Sequence, residues 1–275
     1  MSAAILTAAL TGPIATKADN PALPVSPEEI AAAARSAWEA GASVVHVHLR
    51  DAQGKPTADL QIAHWVVGLI GESCPALIQL STGVGLGVPF GERERLVEAR
   101  PAMATLNVCS MTFGDSEFHN PPDGVRRLAA RMRELGVKPE LELYDTGHVE
   151  MALALHEEGL LEAPLQFSLV LGVRGGMRAE AENIVHVVRR LPVDAVWQVI
   201  GIGRSNLPMT AIGLAMGGNA RTGMEDTLML RRGVLASGNG ELVERLAEVA
   251  RAVDRPAADV EAARLLLGLA AAGSD

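Results

Sequence analysis

The sequence is poor in cysteine, in aromatic residues and in long apolar runs, and each scarcity excludes a class of protein. Two cysteines in 275 residues, Cys74 and Cys109, exclude a disulfide framework and suit a reducing cytoplasm. With aromatic residues at 3%, the core must be aliphatic, which is typical of α/β packing around buried parallel strands. No apolar run reaches the roughly 20 residues that span a bilayer, and no basic segment precedes the first apolar stretch. We therefore expect a cytoplasmic protein.

Basic residues are also outnumbered, with 24 Lys and Arg against 33 Asp and Glu, so the net charge is −9. Because a nucleic-acid partner favours a clustered basic face, we expect neither DNA nor RNA binding. What the chain does contain is aliphatic residues: 48% of it is hydrophobic, which is enough for a large core. Its 275 residues match the usual size of one (β/α)₈ barrel. No linker or repeat interrupts it, so we expect a single catalytic domain over residues 1–275.

Short β-branched runs alternate with helix-like stretches along the whole sequence. Their starts recur about every 30 residues, which is the length of one βα unit. Eight such units predict the α/β class and a (β/α)₈ TIM barrel, because closure removes both edges of the sheet. An open doubly wound sheet is the alternative, since the eighth run has low hydrophobicity. The predicted strands cover residues 5–10, 43–50, 76–81, 103–108, 139–144, 165–172, 195–201 and 219–223.

Local signals mark where helices begin and end. The Ser-Pro-Glu-Glu segment at residues 26–29 is a capping box with proline at the first helical position, and Gly41 is the expected C-cap of that helix. Pro121-Pro122-Asp123 opens another helix, which is expected to stop at Gly136. Residues 256–271 predict an extra C-terminal helix that either closes the bottom of the barrel or forms an oligomer contact.

The strongest local signal is the segment VVHVHLRD at residues 44–51. Side chains at positions i and i+2 of a strand share a face, so His46 and His48 point together while their apolar neighbours point to the other face. The carboxyl end of a barrel strand is where barrel active sites lie. Two neutral imidazoles there could chelate one divalent ion. The alternative is a pair of core histidines whose nitrogens bond to neighbouring carbonyls.

A third metal ligand is expected at another strand end, and Glu225 is the candidate. It follows the predicted eighth strand, which in a closed barrel lies beside the first strand, next to the second. Glu225 could therefore reach an ion held by His46 and His48, with Arg221 and Asp226 beside it. The alternative is that Glu225 and Asp226 begin a helix and interact with its dipole.

Polar and glycine-rich residues also occur at the other predicted strand ends. Arg174 and Arg204 lie in the loops after strands six and seven, where glycines let backbone N–H groups approach an anion such as phosphate. Ordinary turn chemistry is the alternative there. Cys109 has no evident base beside it, so we interpret it as an inert thiol rather than a nucleophile. Further polar residues on or after these strands are Ser81, Thr82, Thr105, Asn107, Glu140 and Glu142.

The sequence resembles the β-keto acid cleavage enzyme family nearly from end to end. The resemblance is carried by ILTAALTG, GASVVHVHLRD, QLSTGVG, MATLNVCSMTFGD, PELELYDTG, FSLVLGVRGGM, QVIGIGRSNLP and GGNARTGMEDT. It implies a zinc-bearing (β/α)₈ barrel that forms homo-oligomers, commonly tetramers. It also implies an enzyme that converts a β-keto acid and acetyl-CoA into acetoacetate and a new acyl-CoA.

The resemblance also assigns roles to individual residues. It implies that His46, His48 and Glu225 are the zinc ligands and that Asp226, aimed by Arg221, removes the C2 proton of the β-keto acid. The resulting enolate would attack acetyl-CoA, and a retro-Claisen cleavage would release acetoacetate. Arg174 and Arg204 are expected to contact acetyl-CoA. The expected substrate contacts are Ser81, Gly83, Val84, Thr105, Asn107, Ile14 and Glu142.

Ile14 departs from the family pattern. Members that act on an amino-substituted substrate have a glutamate there for the substrate ammonium, whereas Ile14 offers only an apolar surface. Since an unpaired buried charge costs several kcal/mol, we expect an uncharged, mainly aliphatic β-keto acid. Asp19 or Glu142 could supply a carboxylate from elsewhere.

Two other functions fit part of the pattern. A histidine pair on a barrel strand also serves metal-dependent hydrolases that activate water. Those sites usually draw further histidines and an aspartate from later strands, whereas the other histidines of this chain lie mostly in predicted helices or connections. A non-catalytic binding barrel would be favoured by loss of a ligand, but all three proposed ligands are present. The remaining histidines are His64, His119, His148, His156 and His186.

Overall fold

Eight parallel strands close into a barrel in the computed structural model, which describes residues 3–270. Strand β1 pairs with both β2 and β8, so the first and last strands close the sheet. All eight predicted strands are present and the (β/α)₈ class is confirmed; the strand of low hydrophobicity at residues 219–222 completes the barrel. The strands are β1 (Leu6–Thr11), β2 (Val44–Val47), β3 (Leu77–Leu80), β4 (Met103–Asn107), β5 (Lys138–Leu143), β6 (Gln166–Leu171), β7 (Val196–Gly201) and β8 (Asn219–Thr222).

Helices follow the strands around the outside of the barrel. They are α1 (Pro27–Glu39), α2 (Leu60–Ser73), α3 (Phe90–Arg93), α4 (Pro122–Leu135), α5 (Gly147–Glu157), α6 (Ala181–Val188), α7 (Asn206–Ala215), α8 (Asn239–Ala252) and α9 (Val260–Leu267), with 3₁₀ turns at Glu94–Ala99 and Gly203–Ser205. Within residues 3–270 no helix has both the length and the hydropathy needed to cross a bilayer.

The predicted capping box of α1 and the predicted glycine stop of α4 are both present. Ser26 and Glu29 form the capping box of α1, in which each side chain accepts a hydrogen bond from the other's backbone N–H. The helix was expected to run through Trp38 and ends at Glu39, and its C-cap is Ala40 rather than Gly41, which follows with φ of 114°. Helix α4 ends at Gly136, whose φ of 69° lies in the left-handed region that glycine adopts without strain.

The C-terminal helix α9 is shorter than the predicted residues 256–271, of which residue 271 lies outside the described range. Its Ala263 and Leu267 pack against Ile5, Val44 and Leu77 at the amino ends of three barrel strands. An extended segment precedes the helix, and in it Ala257 forms a β-bridge with Ala4. Helix α9 therefore covers the end of the barrel opposite the site described below.

Side chains alternate between two environments along each strand, as strand geometry requires. On β2, Val45 and Val47 point outward into an aliphatic cluster shared with α1 and α2, whereas His46 points into the barrel. The barrel interior is apolar at its bottom, around Ile5 and Val44, and polar above that layer. The polar side chains therefore meet toward the carboxyl ends of the strands.

Two β-hairpins that the sequence did not predict lie after β4 and β8. One pairs Met111–Phe113 with Ser116–Phe118, and the other pairs Met229–Arg231 with Val234–Leu235. Each is only a few residues long and carries exposed positions, so it lacks the continuous apolar run of a barrel strand.

Candidate active site

His46 on β2 and His48, the residue that follows β2, both point into the barrel. His46 is 1% exposed and His48 is 6% exposed, and their ring centroids lie 5.4 Å apart. His46 Nδ1 lies 2.7 Å from Gln79 Oε1, and His48 Nδ1 lies 2.8 Å from the Val84 carbonyl oxygen. Because both partners are acceptors, each Nδ1 carries the proton and donates it. Each Nε2 therefore presents a lone pair to the interior of the barrel.

Glu225 extends toward these two nitrogens from the loop after β8. Its Oε2 lies 3.3 Å from His46 Nε2, and its Oε1 lies 3.7 Å from His48 Nε2. The Glu225 side chain passes Gly12 at the end of β1, where a Cβ would lie 2.6 Å from Glu225 Cγ. No helix begins at Glu225, since α8 begins at Asn239. The loop after β8 therefore delivers the carboxylate to the histidine pair, as strand order predicts.

The three side chains can hold a divalent cation. Their ligand atoms all lie within 4.8 Å of one another, and within residues 3–270 no other trio of histidine, cysteine and acidic side chains does so. His46 Nε2 and Glu225 Oε2 are buried without a hydrogen-bond partner in the described part of the chain. A buried polar atom without a partner is costly unless something outside the chain binds it. Two imidazoles and one carboxylate are the donor set of many catalytic zinc sites.

The surroundings of these ligands set their charges. Burial lowers the pKa of His48 to about 4, so its ring is neutral at pH 7. Burial also lowers the pKa of His46, but attraction to Glu225 outweighs burial and raises that pKa above its ordinary value. Burial raises the pKa of Glu225, but Arg221 and then the two histidines lower it far below the usual range. Glu225 is therefore an ionised carboxylate.

Arg221 and Asp226 form a buried ion pair beside Glu225. Arg221 Nε donates to Asp226 Oδ2 at 3.0 Å, and Arg221 Nη2 donates to Asp226 Oδ1 at 2.7 Å and to Glu225 Oε1 at 2.8 Å. Burial raises the pKa of Asp226 to about 6, against the opposing attraction of Arg221. A carboxyl group with a pKa near neutrality can both accept and return a proton at physiological pH.

Strand β5 contributes Glu142 to the same centre. Glu142 Oε1 lies 3.9 Å from Arg221 Nη1, and burial raises the pKa of this carboxyl. The Tyr144 hydroxyl donates to Glu142 Oε2 at 3.4 Å. Tyr144 was not predicted from the sequence, although it lies one residue past β5, and continuing the alternation of Glu140 and Glu142 to position 144 places it on the inward face.

The predicted substrate contacts on β3 and β4 lie next to the cluster. Thr82 N donates to Thr105 Oγ1 at 3.0 Å, so the loop after β3 is tied to β4. Val84 has φ of 50°, which is unusual for a β-branched residue, and in this conformation its carbonyl bonds to His48. Ser81, Gly83 and Asn107 lie at the same strand ends, and Asn107 Nδ2 is buried without a partner among the described residues.

Three other predicted residues lie at the barrel mouth but outside this cluster. Ile14 follows β1 and is 72% exposed. Arg174 follows β6 and pairs with Asp115 of the hairpin after β4, with both side chains largely exposed. Arg204 is exposed in the 3₁₀ turn after β7. In the described part of the chain, neither arginine forms a hydrogen bond or ion pair with His46, His48 or Glu225.

Two buried arginines, which were not predicted from the sequence, fix the loops at the mouth of the barrel. Arg50 donates to the carbonyls of Gly12, Ala15 and Gly54 and so fixes the loop after β1. Arg93 lies between two aromatic rings, with its guanidinium 5.0 Å and 4.8 Å from their centroids, and donates to the Thr82 carbonyl at 3.3 Å. Arg50 follows β2 and Arg93 ends α3, and neither position distinguishes the residue in the sequence, because most of its partners are backbone carbonyls distant in the chain.

Comparison with known proteins identifies the family. The model of the β-keto acid cleavage enzyme family matches residues 3–269. The 3-keto-5-aminohexanoate cleavage enzyme of Fusobacterium nucleatum is 39% identical over 271 residues, which cover 98% of this chain and 99% of that protein. The 3-oxoadipate:acetyl-CoA acetyltransferase of Cupriavidus necator is 37% identical over 269 residues, covering 96% and 94%.

A solved structure supports the fold independently. The apo structure of ObcA is 22% identical and superposes with a TM-score of 0.79, covering 90% of this chain and 66% of that chain. This likeness concerns the barrel architecture alone. The family match and the two relatives extend over almost the whole sequence, and the chain belongs to the β-keto acid cleavage enzyme family.

Proposed function

We propose that this chain is a zinc-dependent enzyme that converts an uncharged aliphatic β-keto acid and acetyl-CoA into acetoacetate and a new acyl-CoA. The observation that carries the proposal is that the imidazoles of His46 and His48 and the ionised carboxylate of Glu225 converge beside the Arg221–Asp226 pair. The named activity of the relative from Cupriavidus necator supports acetyl-CoA as the second substrate. A metal-dependent hydrolase is not favoured by these relatives.

His46, His48 and Glu225 would hold the ion. When bound, zinc would supply a Lewis acid for the keto oxygen of the substrate. Asp226 would remove a proton from C2 of the β-keto acid, and Arg221 would keep the Asp226 carboxylate ionised and aimed. Burial of both side chains supports this role, because water is excluded from the proton acceptor.

The remaining steps conserve every atom. The C2 carbanion attacks the carbonyl carbon of acetyl-CoA, and the C–S bond breaks to release CoA thiolate. The thiolate then attacks the original keto carbon of the adduct, and the bond between that carbon and C2 breaks. The electron pair stays on C2, which takes back the proton held by Asp226 to give acetoacetate. The remaining acyl group leaves as the new acyl-CoA.

The substrate preference rests on Ile14. The two carboxylates that could replace a glutamate there already have partners. Asp19 accepts hydrogen bonds from Thr16 N at 2.8 Å and Thr16 Oγ1 at 2.9 Å, and Glu142 lies between Arg221 and Tyr144. An apolar substrate tail that packs on Ile14 gains roughly 0.8 kcal/mol of binding free energy per buried methylene. We therefore propose a 3-oxo acid of about five to seven carbons as the substrate.

The preference is tested by comparing kcat/KM for 3-oxohexanoate and 5-amino-3-oxohexanoate at fixed acetyl-CoA. We expect the uncharged acid to be used better, and we expect Ile14→Glu to shift the ratio toward the amino compound. Equal or better use of the amino compound by the unaltered enzyme would remove Ile14 as the specificity determinant.

The reaction and the metal are tested on the purified protein. A screen of β-keto acids should form acetoacetate only when acetyl-CoA is present, whereas a hydrolase would not need acetyl-CoA. The protein should carry about one divalent ion per chain, because the trio leaves an open coordination position. His46→Ala and His48→Ala should lose metal and activity together, and a double variant with full metal occupancy would refute the ligand assignment.

The proposal extends to the acetyl-CoA site, the compartment and the assembly. Arg174 and Arg204 would contact the phosphates of CoA, which is consistent with their exposure at the barrel mouth. Replacing both with alanine should raise KM for acetyl-CoA and leave KM for the keto acid unchanged. We further propose a cytoplasmic homotetramer, as the family resemblance implies. Light scattering on the purified protein tests the number of subunits.

A further inference from the structure

A layer of polar side chains fills the barrel interior directly beneath the His46, His48 and Glu225 trio. Its centre is Glu140 on β5, a carboxylate that is 1% exposed and lies among three buried amides. Gln79 Nε2 donates to Glu140 Oε2 at 2.8 Å, Gln198 Nε2 donates to it at 3.0 Å, and Gln166 Nε2 lies at 3.5 Å. A buried carboxylate with only amide donors around it is costly, and the reaction proposed above gives it no role.

One of these amides connects the layer to the trio. Gln79 of β3 is fully buried and stands opposite His46 in the strand register. Its nitrogen donates to Glu140, so its oxygen must face the other way, and that oxygen lies 2.7 Å from His46 Nδ1. A carboxylate can only accept, so Glu140 determines which end of the Gln79 amide faces His46.

We propose that Gln79 and Glu140 are positioning residues for the metal site. Glu140 orients the Gln79 amide, the amide oxygen accepts the proton of His46 Nδ1, and His46 Nε2 is thereby left as a lone pair aimed at the position shared with Glu225. The inference rests on the metal role proposed for the trio. Groups that bond to the second nitrogen of a histidine ligand fix its tautomer and ring orientation.

The two histidines differ in a way that makes the inference testable. His48 Nδ1 donates to a backbone carbonyl, that of Val84, which has no alternative donor to present. His46 Nδ1 instead faces a side-chain amide, which could present either its oxygen or its nitrogen. Of the two histidines, only His46 has a tautomer that depends on a more distant charge, that of Glu140, which acts through Gln79.

The first variant is Glu140→Gln, which keeps the volume and removes the charge. The new amide can donate to Gln79, so the Gln79 amide is free to turn its nitrogen toward His46. His46 would then accept at Nδ1 and carry its proton on Nε2, where the proton blocks the metal. We expect the Kd for Zn²⁺ to rise about 10- to 100-fold. The Kd is measured on metal-free full-length protein by competition with a chromophoric chelator.

The second variant exchanges the two residues, Gln79→Glu together with Glu140→Gln. The carboxylate at position 79 then accepts from both His46 Nδ1 and the new amide, so the proton on Nδ1 is fixed again. We expect this double variant to recover the Kd of the unaltered protein. The matched control is Thr7→Val, because Thr7 Oγ1 donates to Gln198 Oε1 at 3.0 Å in the same layer without contacting Gln79. That control should leave the Kd unchanged.

A purely structural role for the layer predicts a different pattern. In that case Thr7→Val would raise the Kd for Zn²⁺ as much as Glu140→Gln does, or the double variant would bind Zn²⁺ as weakly as the single variant. Either result overturns the proposal. If Glu140→Gln does not fold, the double variant alone decides: unchanged Kd supports the proposal and weakened Kd overturns it. Absence of metal binding by the unaltered protein would instead refute the proposed function.

Discussion

Glycine at position 12 gives the sharpest prediction about the proposed metal site, because changing it alters none of the three proposed ligands. In Gly12→Ala the new Cβ would lie 2.6 Å from Glu225 Cγ and 3.2 Å from Glu225 Cβ. Carbon atoms in contact are separated by roughly 3.5–4.0 Å, so the overlap with Cγ is about 1 Å. The backbone cannot retreat easily, since Arg50 donates to the Gly12 and Ala15 carbonyls. Glu225 must therefore move away from the histidines.

The size of the effect follows from the tolerance of metal coordination. Ligand distances in a metal site hold to about 0.2 Å, and the required displacement is several times larger. We expect Gly12→Ala to weaken Zn²⁺ binding by at least about tenfold while His46 and His48 stay in place. Metal content by mass spectrometry and Kd by chelator competition measure this effect.

The control for Gly12→Ala is Gly68→Ala, in the exposed face of α2, where an added Cβ meets nothing within 4 Å. That variant should bind metal normally. An unchanged Kd in correctly folded Gly12→Ala would show that Glu225 does not hold the ion in this position, and the ligand set would have to be revised.

Three further outcomes are expected. Asp226→Asn should bind zinc nearly normally but lose on the order of 10²–10⁴ in turnover, since its amide cannot accept the C2 proton; wild-type turnover would remove Asp226 from the mechanism. Burial raises the pKa of the Cys109 thiol, so iodoacetamide at pH 8 should label it more slowly than a free thiol, as mass spectrometry would detect. Gly68→Ala should raise the free energy of unfolding by about 0.5–1 kcal/mol in denaturant titrations, and a decrease would contradict the helix-propensity argument.

The barrel was predictable because strand periodicity is a local property. Even β8, with Asn219 and Arg221 among its four residues, was found from its place in the repeat of βα units. The histidine pair and Glu225 were predictable for the same reason, since strand order in a closed barrel brings the last strand beside the first. The hairpins at Met111–Phe118 and Met229–Leu235 were missed, because their strands are two or three residues long.

The residues that support the site were harder to predict, because their partners are distant in sequence. Gln79 lies 33 residues from His46 and 61 from Glu140, and a buried glutamine has no pattern that distinguishes it from a surface one. Arg93 contacts carbonyls and rings of other loops for the same reason. Strand alternation places a polar residue on the inward face of a strand, but it does not determine which neighbour that residue bonds to.

Closure of the barrel between β1 and β8 has a consequence for the order in which the protein is assembled during synthesis. Ile5 N donates to Asn219 Oδ1 across 214 residues, so the seam cannot form until about four fifths of the chain has left the ribosome. His46 and His48 are made early, whereas Glu225 arrives only after the last strand. A nascent chain would therefore present two imidazoles without the carboxylate of Glu225, and the proposed ion would bind with full affinity only when translation has passed that residue.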